Sequence, residues 1–258
     1  MERISATLRK NIHALATAKG RQAMGAFMVE RTKNVLELLD SRFSLRYLVA
    51  TAAWLETHPV ELTSGTLLLA TPADMERMSS MSTPAEVLAV FSLPDEKEPF
   101  IPDGADNNLL IALDGIQDPG NMGTIIRLAD WFGVSHIIAS RDSVDAFNPK
   151  CVISSLGSLA RVRRARCDLP QWLDAVSAKG LPVYGTFMEG TSIYQLTPRQ
   201  KRAGVIIMGN EGKGISTPVT RYVTQRITIP PYPADKRTAE SLNVATATAI
   251  TLAAFRQP

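Results

Sequence analysis

The sequence predicts an α/β protein in two parts, the larger built on a mostly parallel sheet. Three observations predict it. Beyond residue 108, short apolar runs alternate with segments of helical period, the pattern of repeated strand–helix units. Residues 109–113 are apolar throughout, as a strand buried on both faces must be. Residues 94–104, rich in proline, glycine and acidic side chains, cannot sustain a regular element and read as an interdomain linker. The expected division is residues 1–104 and 105–258.

In the first part, Leu8, Ile12 and Leu15 recur at near-helical spacing among Arg9, Lys10, Lys19 and Arg21, predicting a basic helix within 5–22. It leads into an apolar stretch at 27–30. A second helix is expected over 32–39, a strand at 47–50, apolar runs at 66–69 and 87–93, and a helix between them at 72–78. This is a small α/β unit.

In the second part, residues 121–132 read as a helix with Ile125, Leu128, Ala129 and Phe132 on one face and Gly133 as its stop. Strands are expected at 134–140, 183–187, 205–209 and 226–230, and helices at 170–178, 216–222 and 241–256. Strand–helix alternation implies a parallel sheet covered on both faces, with ligands at the carboxyl ends of its strands.

Composition excludes several classes. The chain has 258 residues, 45% hydrophobic and 21% charged, an ordinary globular balance. No apolar run is long enough to span a membrane, and the N-terminus lacks the features of a signal peptide, so a cytoplasmic location is expected. Cys151 and Cys167 are too few for a disulfide framework, and His13, His58 and His136 share no metal-ligand spacing, so no metal is expected.

The net charge of +3 is unevenly spread. Residues 1–104 hold 11 Lys and Arg against 13 Asp and Glu, whereas residues 105–258 hold 17 against 12. Arg161, Arg163, Arg164 and Arg166 fall within six positions. They form either a phosphate-contacting patch on RNA or a strand edge guarded by charge.

Three loops follow predicted strands. The first, 114–123, enters the helix that carries Arg127; Asn121 reads as that helix's N-cap, and Arg127 as facing the loop or pairing with Asp118 or Asp130. The second, 207–215, has glycines at 209, 212 and 214, which permit close backbone approach and positive φ. It is neither a Walker loop nor a dinucleotide fingerprint, since Lys213 precedes Gly214 and the Gly-x-Gly-x-x-Gly spacing is missing. The third, 229–244, is proline-rich and leads into a helix of small residues for which Ser241 reads as the cap.

Asp-Pro-Gly-Asn-Met-Gly-Thr-Ile-Ile-Arg (118–127), Met-Gly-Asn-Glu-Gly-Lys-Gly (208–214) and Glu-Ser-Leu-Asn-Val (240–244) resemble, in order and spacing, the three motifs of the SpoU (TrmH-like) RNA 2′-O-ribose methyltransferases. The resemblance spans about residues 109–255. A weaker one, on residues 27–30, 35–37 and 87–91, links the first part to that family's L30e-like substrate-binding domain.

The resemblance implies a SPOUT-type α/β domain with a C-terminal trefoil knot, binding of S-adenosylmethionine in the knot, and a homodimer with its site at the subunit interface. It implies donor contacts from Gly209, Ile229 and Leu242, with Glu211, Gly212 and Ser241 close by. It places Asn121, Arg127, Glu211, Ser241 and Asn243 at the polar positions of the catalytic centre. The family pattern carries serine where this chain has Ala245, and its stretch between Ile229 and Ser241 is shorter.

Family proposals cast the residue matching Arg127 as the activator of the ribose hydroxyl. A guanidinium stays protonated, so Arg127 is expected instead to stabilise the alkoxide electrostatically. Ribosomal RNA is expected as substrate ahead of transfer RNA. The alternatives are a tRNA 2′-O-methyltransferase, a non-catalytic RNA-binding or assembly factor, and, more remotely, a nucleotide-binding enzyme using residues 209–214 for phosphates.

Overall fold

The computed structural model describes residues 2–95, 98–102, 108–233 and 239–257. The chain divides into two compact units, one joining residues 1–95 to 145–161, the other holding 96–144 and 162–258. The expected linker lies partly outside the described residues (96–97 and 103–104), as does the expected 104/105 boundary. No single cut reproduces this division, because residues 145–161 belong with the first unit.

The first unit begins β1 (Glu2–Arg3), α1 (Ala6–Ala14), α2 (Ala18–Met24), β2 (Ala26–Glu30), α3 (Thr32–Leu39) and β3 (Leu45–Ala50). It continues with α4 (Ala52–Thr57), β4 (Thr66–Leu69), α5 (Pro72–Met78) and β5 (Val87–Ser92). The single helix expected over 5–22 is two helices. Thr17 caps α2 by accepting from Gly20 N at 3.0 Å. The reversal is so tight that a Cβ on Gly20 would lie 1.9 Å from the Ala14 carbonyl oxygen.

The five strands run in the order β1-β4-β3-β5-β2, with β5 antiparallel to both neighbours. Ile12, Leu15, Met28, Val49, Leu88 and Val90 form the core between the sheet and α1 and α5. A second cluster gathers Phe27, Phe43, Phe91 and Phe147, the Phe27 and Phe147 ring centroids lying 4.6 Å apart. Phe27 and Phe91, both fully buried, each contribute roughly 1.5–3 kcal/mol.

The second unit opens with β6 (Leu109–Asp114), α6 (Pro119–Trp131) and β7 (His136–Ser140). The next helix, α7 (Pro149–Ser155), and the 3-10 turn Ser158–Ala160 belong to the first unit, where α7 packs on β2. The second unit resumes with β8 (Arg163–Cys167), α8 (Leu169–Ala178), β9 (Val183–Ser192) and β10 (Gly204–Gly209), then α9 (Thr217–Thr220), β11 (Gln225–Thr228) and α10 (Val244–Phe255).

Its six strands lie in the order β11-β9-β10-β6-β7-β8, and every pairing is parallel. Such a sheet needs cover on both faces. Trp172, Leu173 and Val176 of α8 and Val219 of α9 pack on Leu110, Ala112, Val205 and Ile207. The helix α10 packs on α6 and β10.

The chain leaves β6 towards β7 on one side and arrives at β10 on the other, so the connections diverge between these adjacent strands. In open parallel sheets this divergence opens a crevice at the carboxyl ends. The first two candidate loops leave from there. Among the described residues, no helix is long and apolar enough to cross a membrane, and no group of three or more His, Cys, Asp or Glu is arranged to hold a metal.

Candidate active site

The first loop is shaped by its polar ends. Asp114, the last residue of β6, is buried, and its Oδ2 accepts from Ser216 N at 2.7 Å. Gly115, at φ +73°, donates its N–H to Ser140 Oγ at 2.8 Å. The sequence points to Asn121 as the cap of α6, but Asp118 holds that role, its carboxylate accepting from Asn121 N at 2.8 Å. The reason is local: Asp followed by Pro119 is an N-cap with a preset first turn. Gly133 ends the helix at φ +67°, as expected.

Relieved of capping, the Asn121 side chain reaches the other two loops. Its Nδ2 donates to Glu211 Oε1 at 2.9 Å. Its Oδ1 accepts from Asn243 Nδ2 at 3.0 Å. Arg127 lies further along α6, exposed and without a hydrogen bond or ion pair among the described residues, so the pairing with Asp118 or Asp130 is not formed.

The second loop folds around a residue the sequence reading passed over. Asn210 Oδ1 accepts from the N–H groups of Gly212 and Lys213, each at 3.0 Å, while its Nδ2 donates to Gly115 O at 2.6 Å. An Asn between a strand and a Gly-rich turn is the signal that would have found it, since Asn side chains replace backbone in such turns. Asn210 and Gly214 also exchange two backbone hydrogen bonds at 2.9 Å. Gly209 is needed for this closure: a Cβ there would sit 2.4 Å from Gly214 C and Ile215 N.

The third loop leaves β11 and ends at α10; residues 234–238 of the long stretch singled out in the sequence lie outside the described residues. Asn243, not Ser241, caps α10, accepting from Ala245 N at 3.0 Å and Thr246 N at 3.2 Å. Ser241 and Leu242 are exposed just before it and Ile229 is half-buried. Ala245, where the family pattern has serine, is buried in the first turn.

The structure thus links Glu211 and Asn243 through Asn121, while among the described residues no hydrogen bond joins Arg127 or Ser241 to them. The arginine cluster does not act as one group. Arg161 belongs to the first unit and pairs with Glu37 at 2.8 Å. The other three lie on β8, an edge strand. Alternation along that strand puts Arg164 and Arg166 on one face and Arg163 on the other. Charge at an exposed edge is what the guarded-edge reading expects.

A parallel α/β domain with three joined loops at its strand ends, in a chain that also holds a separate smaller α/β unit, is the architecture of a two-domain, strand-end-site enzyme. Residues 108–253 match the SpoU rRNA Methylase family model and residues 9–89 the MRM3-like substrate binding domain. This chain belongs to the SpoU rRNA methylase family.

Among its relatives is the 23S rRNA (guanosine(2553)-2′-O)-methyltransferase RlmP of Bacillus subtilis, 32% identical over 93% of this chain and 92% of that protein. The 23S rRNA (guanosine-2′-O-)-methyltransferase RlmB of Neisseria meningitidis is 28% identical over 72% of this chain and 75% of that protein. A putative RNA methyltransferase of the TrmH family from Porphyromonas gingivalis superposes with a TM-score of 0.86 at 39% identity, covering 98% of both chains. The AdoMet-bound rRNA methyltransferase from Sinorhizobium meliloti gives 0.85 at 28%, covering 99% of this chain and 97% of that one.

Proposed function

We propose that this protein transfers a methyl group from S-adenosylmethionine to a ribose 2′-hydroxyl of ribosomal RNA. The observation that carries this reading is the hydrogen-bonded line Asn243–Asn121–Glu211, which joins all three family motifs at the strand-end crevice.

The residues present fit the donor. Leu242, 49% exposed, and the half-buried Ile229 offer apolar surface on the third loop. Gly209 and Gly212 lie on the second loop, where a Cβ on Gly212 would meet nothing nearer than 3.8 Å. Glu211 supplies an anion suited to a sulfonium. Bound there, S-adenosylmethionine supplies the electrophilic methyl. As the 2′-oxygen bonds to the methyl, the methyl–sulfur bond breaks to leave S-adenosylhomocysteine and the hydroxyl proton passes to solvent, while Arg127, unpaired within the described residues, stabilises the charge developing on the oxygen. Holding the hydroxyl in line contributes on the order of 7–11 kcal/mol in ideal cases.

The first unit and the β8 arginines Arg163, Arg164 and Arg166 serve as RNA contacts in this reading, with Arg161 contributing from the first unit. A homodimer through the second unit, a trefoil threading of the last segments and a cytoplasmic location complete it. Trp131, at the end of α6 and 82% exposed, is apolar surface of the kind a second copy covers.

The test is radiolabel transfer from S-adenosylmethionine to ribosomal and transfer RNA, followed by mapping of 2′-O-methyl sites in cells with and without the protein. Label on ribose of ribosomal RNA supports the reading. Label confined to transfer RNA moves the substrate, and no transfer to either sinks it.

A further inference from the structure

We propose that Asn243 is a positioning residue: by fixing which way the Asn121 amide points, it makes the start of α10 decide what hydrogen-bond partner Glu211 is given. The inference rests on the methyl-transfer reading and deepens it by assigning each amide a separate task.

The direction of the line follows from chemistry. An asparagine amide has one end that donates and one that accepts, and which is which is ordinarily assigned rather than seen. Here both ends of the line are fixed. Asn243 Oδ1 faces the N–H groups of Ala245 and Thr246, at 3.0 and 3.2 Å. Backbone N–H groups only donate, so the oxygen must face the helix. Asn243 Nδ2 then points outward, and at 3.0 Å Asn121 must meet it with Oδ1.

That leaves Asn121 Nδ2 for Glu211 Oε1, at 2.9 Å. An ionised carboxylate only accepts, so the far end demands the same orientation. Flipping either amide sets two donors or two acceptors against each other. Glu211 Oε2 has no hydrogen bond among the described residues, so one oxygen is tethered and the other faces outward. The cap of α10 therefore acts on the carboxylate of the second loop through a residue of the first.

Asn243→Asp separates this from a structural role. Aspartate caps helices as well as asparagine, so both bonds to α10 remain, but the donating end becomes an acceptor. Asn121 then turns Nδ2 towards the new carboxylate and Oδ1 towards Glu211. The other titratable groups of the three segments, Asp118, Arg127, Lys213 and Glu240, are untouched.

The expected result is an unchanged melting temperature and unchanged donor affinity, with kcat lower by about 10- to 100-fold, the span of one charge-assisted hydrogen bond. KM for the RNA should hold, because only the partner offered to Glu211 has changed. Asn121→Asp, which still accepts from Asn243 but cannot donate to Glu211, should lower kcat by a similar factor, and it carries the test if Asn243→Asp melts early. A folded Asn243→Asp with wild-type kcat overturns the proposal.

Absence of methyl transfer by the wild type would defeat the function, not the line. In that case the Asn121 side-chain amide resonances decide. Glu211→Ala should shift them in the wild-type background but not beside Asn243→Asp; the same shift in both backgrounds overturns the proposal.

Discussion

Asn210 donates its side-chain N–H to the Gly115 carbonyl at 2.6 Å, tying the ends of the adjacent parallel strands β6 and β10. The same side chain accepts the two N–H groups that shape the 210–214 turn. Asn210→Ala should therefore loosen two loops at once. The expected cost is about 1–3 kcal/mol, that of leaving such partners unsatisfied, with weaker binding of S-adenosylmethionine. Denaturant unfolding and calorimetric titration measure the two effects. Donor affinity equal to wild type would show that the turn does not depend on this side chain.

Gly209→Ala tests the same turn from its backbone. The new Cβ would press on Gly214 C and Ile215 N at 2.4 Å, and neither is the end of a flexible side chain. The turn must open. A stability loss of about 1–3 kcal/mol is expected from such overpacking, together with loss of donor binding. Retention of wild-type binding by a folded Gly209→Ala protein would mean that the closed turn is not the binding conformation.

The place of the candidate site at the strand ends was legible in the sequence, and what was not legible has local causes. The loops at the ends of β6 and β10 follow from short apolar runs ending in Gly-rich segments, whereas the polar set expected on them came only from the family resemblance. The caps did not follow. Asn121 and Ser241 each sit within three residues of the true caps, Asp118 and Asn243, and several residues in each loop are competent to cap. Only the packed structure selects one.

The same holds for the elements. Two-turn α4 is too short to show a period, whereas α3 and α5 fall on the residues expected. The return of residues 145–161 to the first unit depends on tertiary partners such as Phe147 on Phe27, which no local pattern encodes. The arginine cluster shows the limit of reading charge along the chain. Its members are neighbours in sequence, yet strand alternation and the Glu37 pairing separate them.

Arg127 is exposed on α6 and unpaired, so its removal leaves no orphaned partner within the described residues. Arg127→Ala should therefore fold normally while losing kcat by about 100-fold or more, the scale for removing an oxyanion-stabilising donor. Arg127→Lys keeps the charge but not the planar fork and should recover only part of the rate. Single-turnover methyl transfer distinguishes the outcomes. Full activity of the alanine variant would remove Arg127 from the chemistry, and full activity of the lysine variant would show that charge alone suffices.

Asp74 links stability to pH in the first unit. Thr71 N–H donates to its carboxylate at 3.0 Å and holds the carboxyl below its usual range, against desolvation, with the Thr71 hydroxyl and Arg9 adding to the effect. The sign follows from linkage. A carboxyl with a lowered folded-state value contributes stability that is fully present above its unfolded value, near 4, and lost as pH falls through the folded one. Asp74→Asn should be less stable than wild type at pH 7, and the gap should close in acid below about pH 4. Urea unfolding at both pH values measures this; a gap that stays constant would mean that the Thr71–Asp74 pairing at the start of α5 is electrostatically silent.

Arg21 is 2% exposed, and its guanidinium donates to the carbonyls of Leu15 and Ala16 at 3.0 and 3.2 Å. It completes its partners with Asp145, at 2.9 Å from Nε and 2.8 Å from the second terminal nitrogen. Asp145 is the first residue of the returning segment, so this pair fastens 145–161 within the first unit. Removing one partner of a buried pair is costly because the other charge is left uncompensated, by about 3–5 kcal/mol when both are fully buried. Asp145 keeps part of its surface in water, so Asp145→Ala should fall at or below the lower end of that range. Replacing Arg21 as well, with leucine, removes the orphaned charge, so the double variant should be more stable than the sum of the two single losses predicts. A double-mutant cycle by denaturant unfolding reads this coupling directly. Strict additivity would show that the segment is held by its apolar contacts, Phe147 among them, and that the ion pair contributes only geometry.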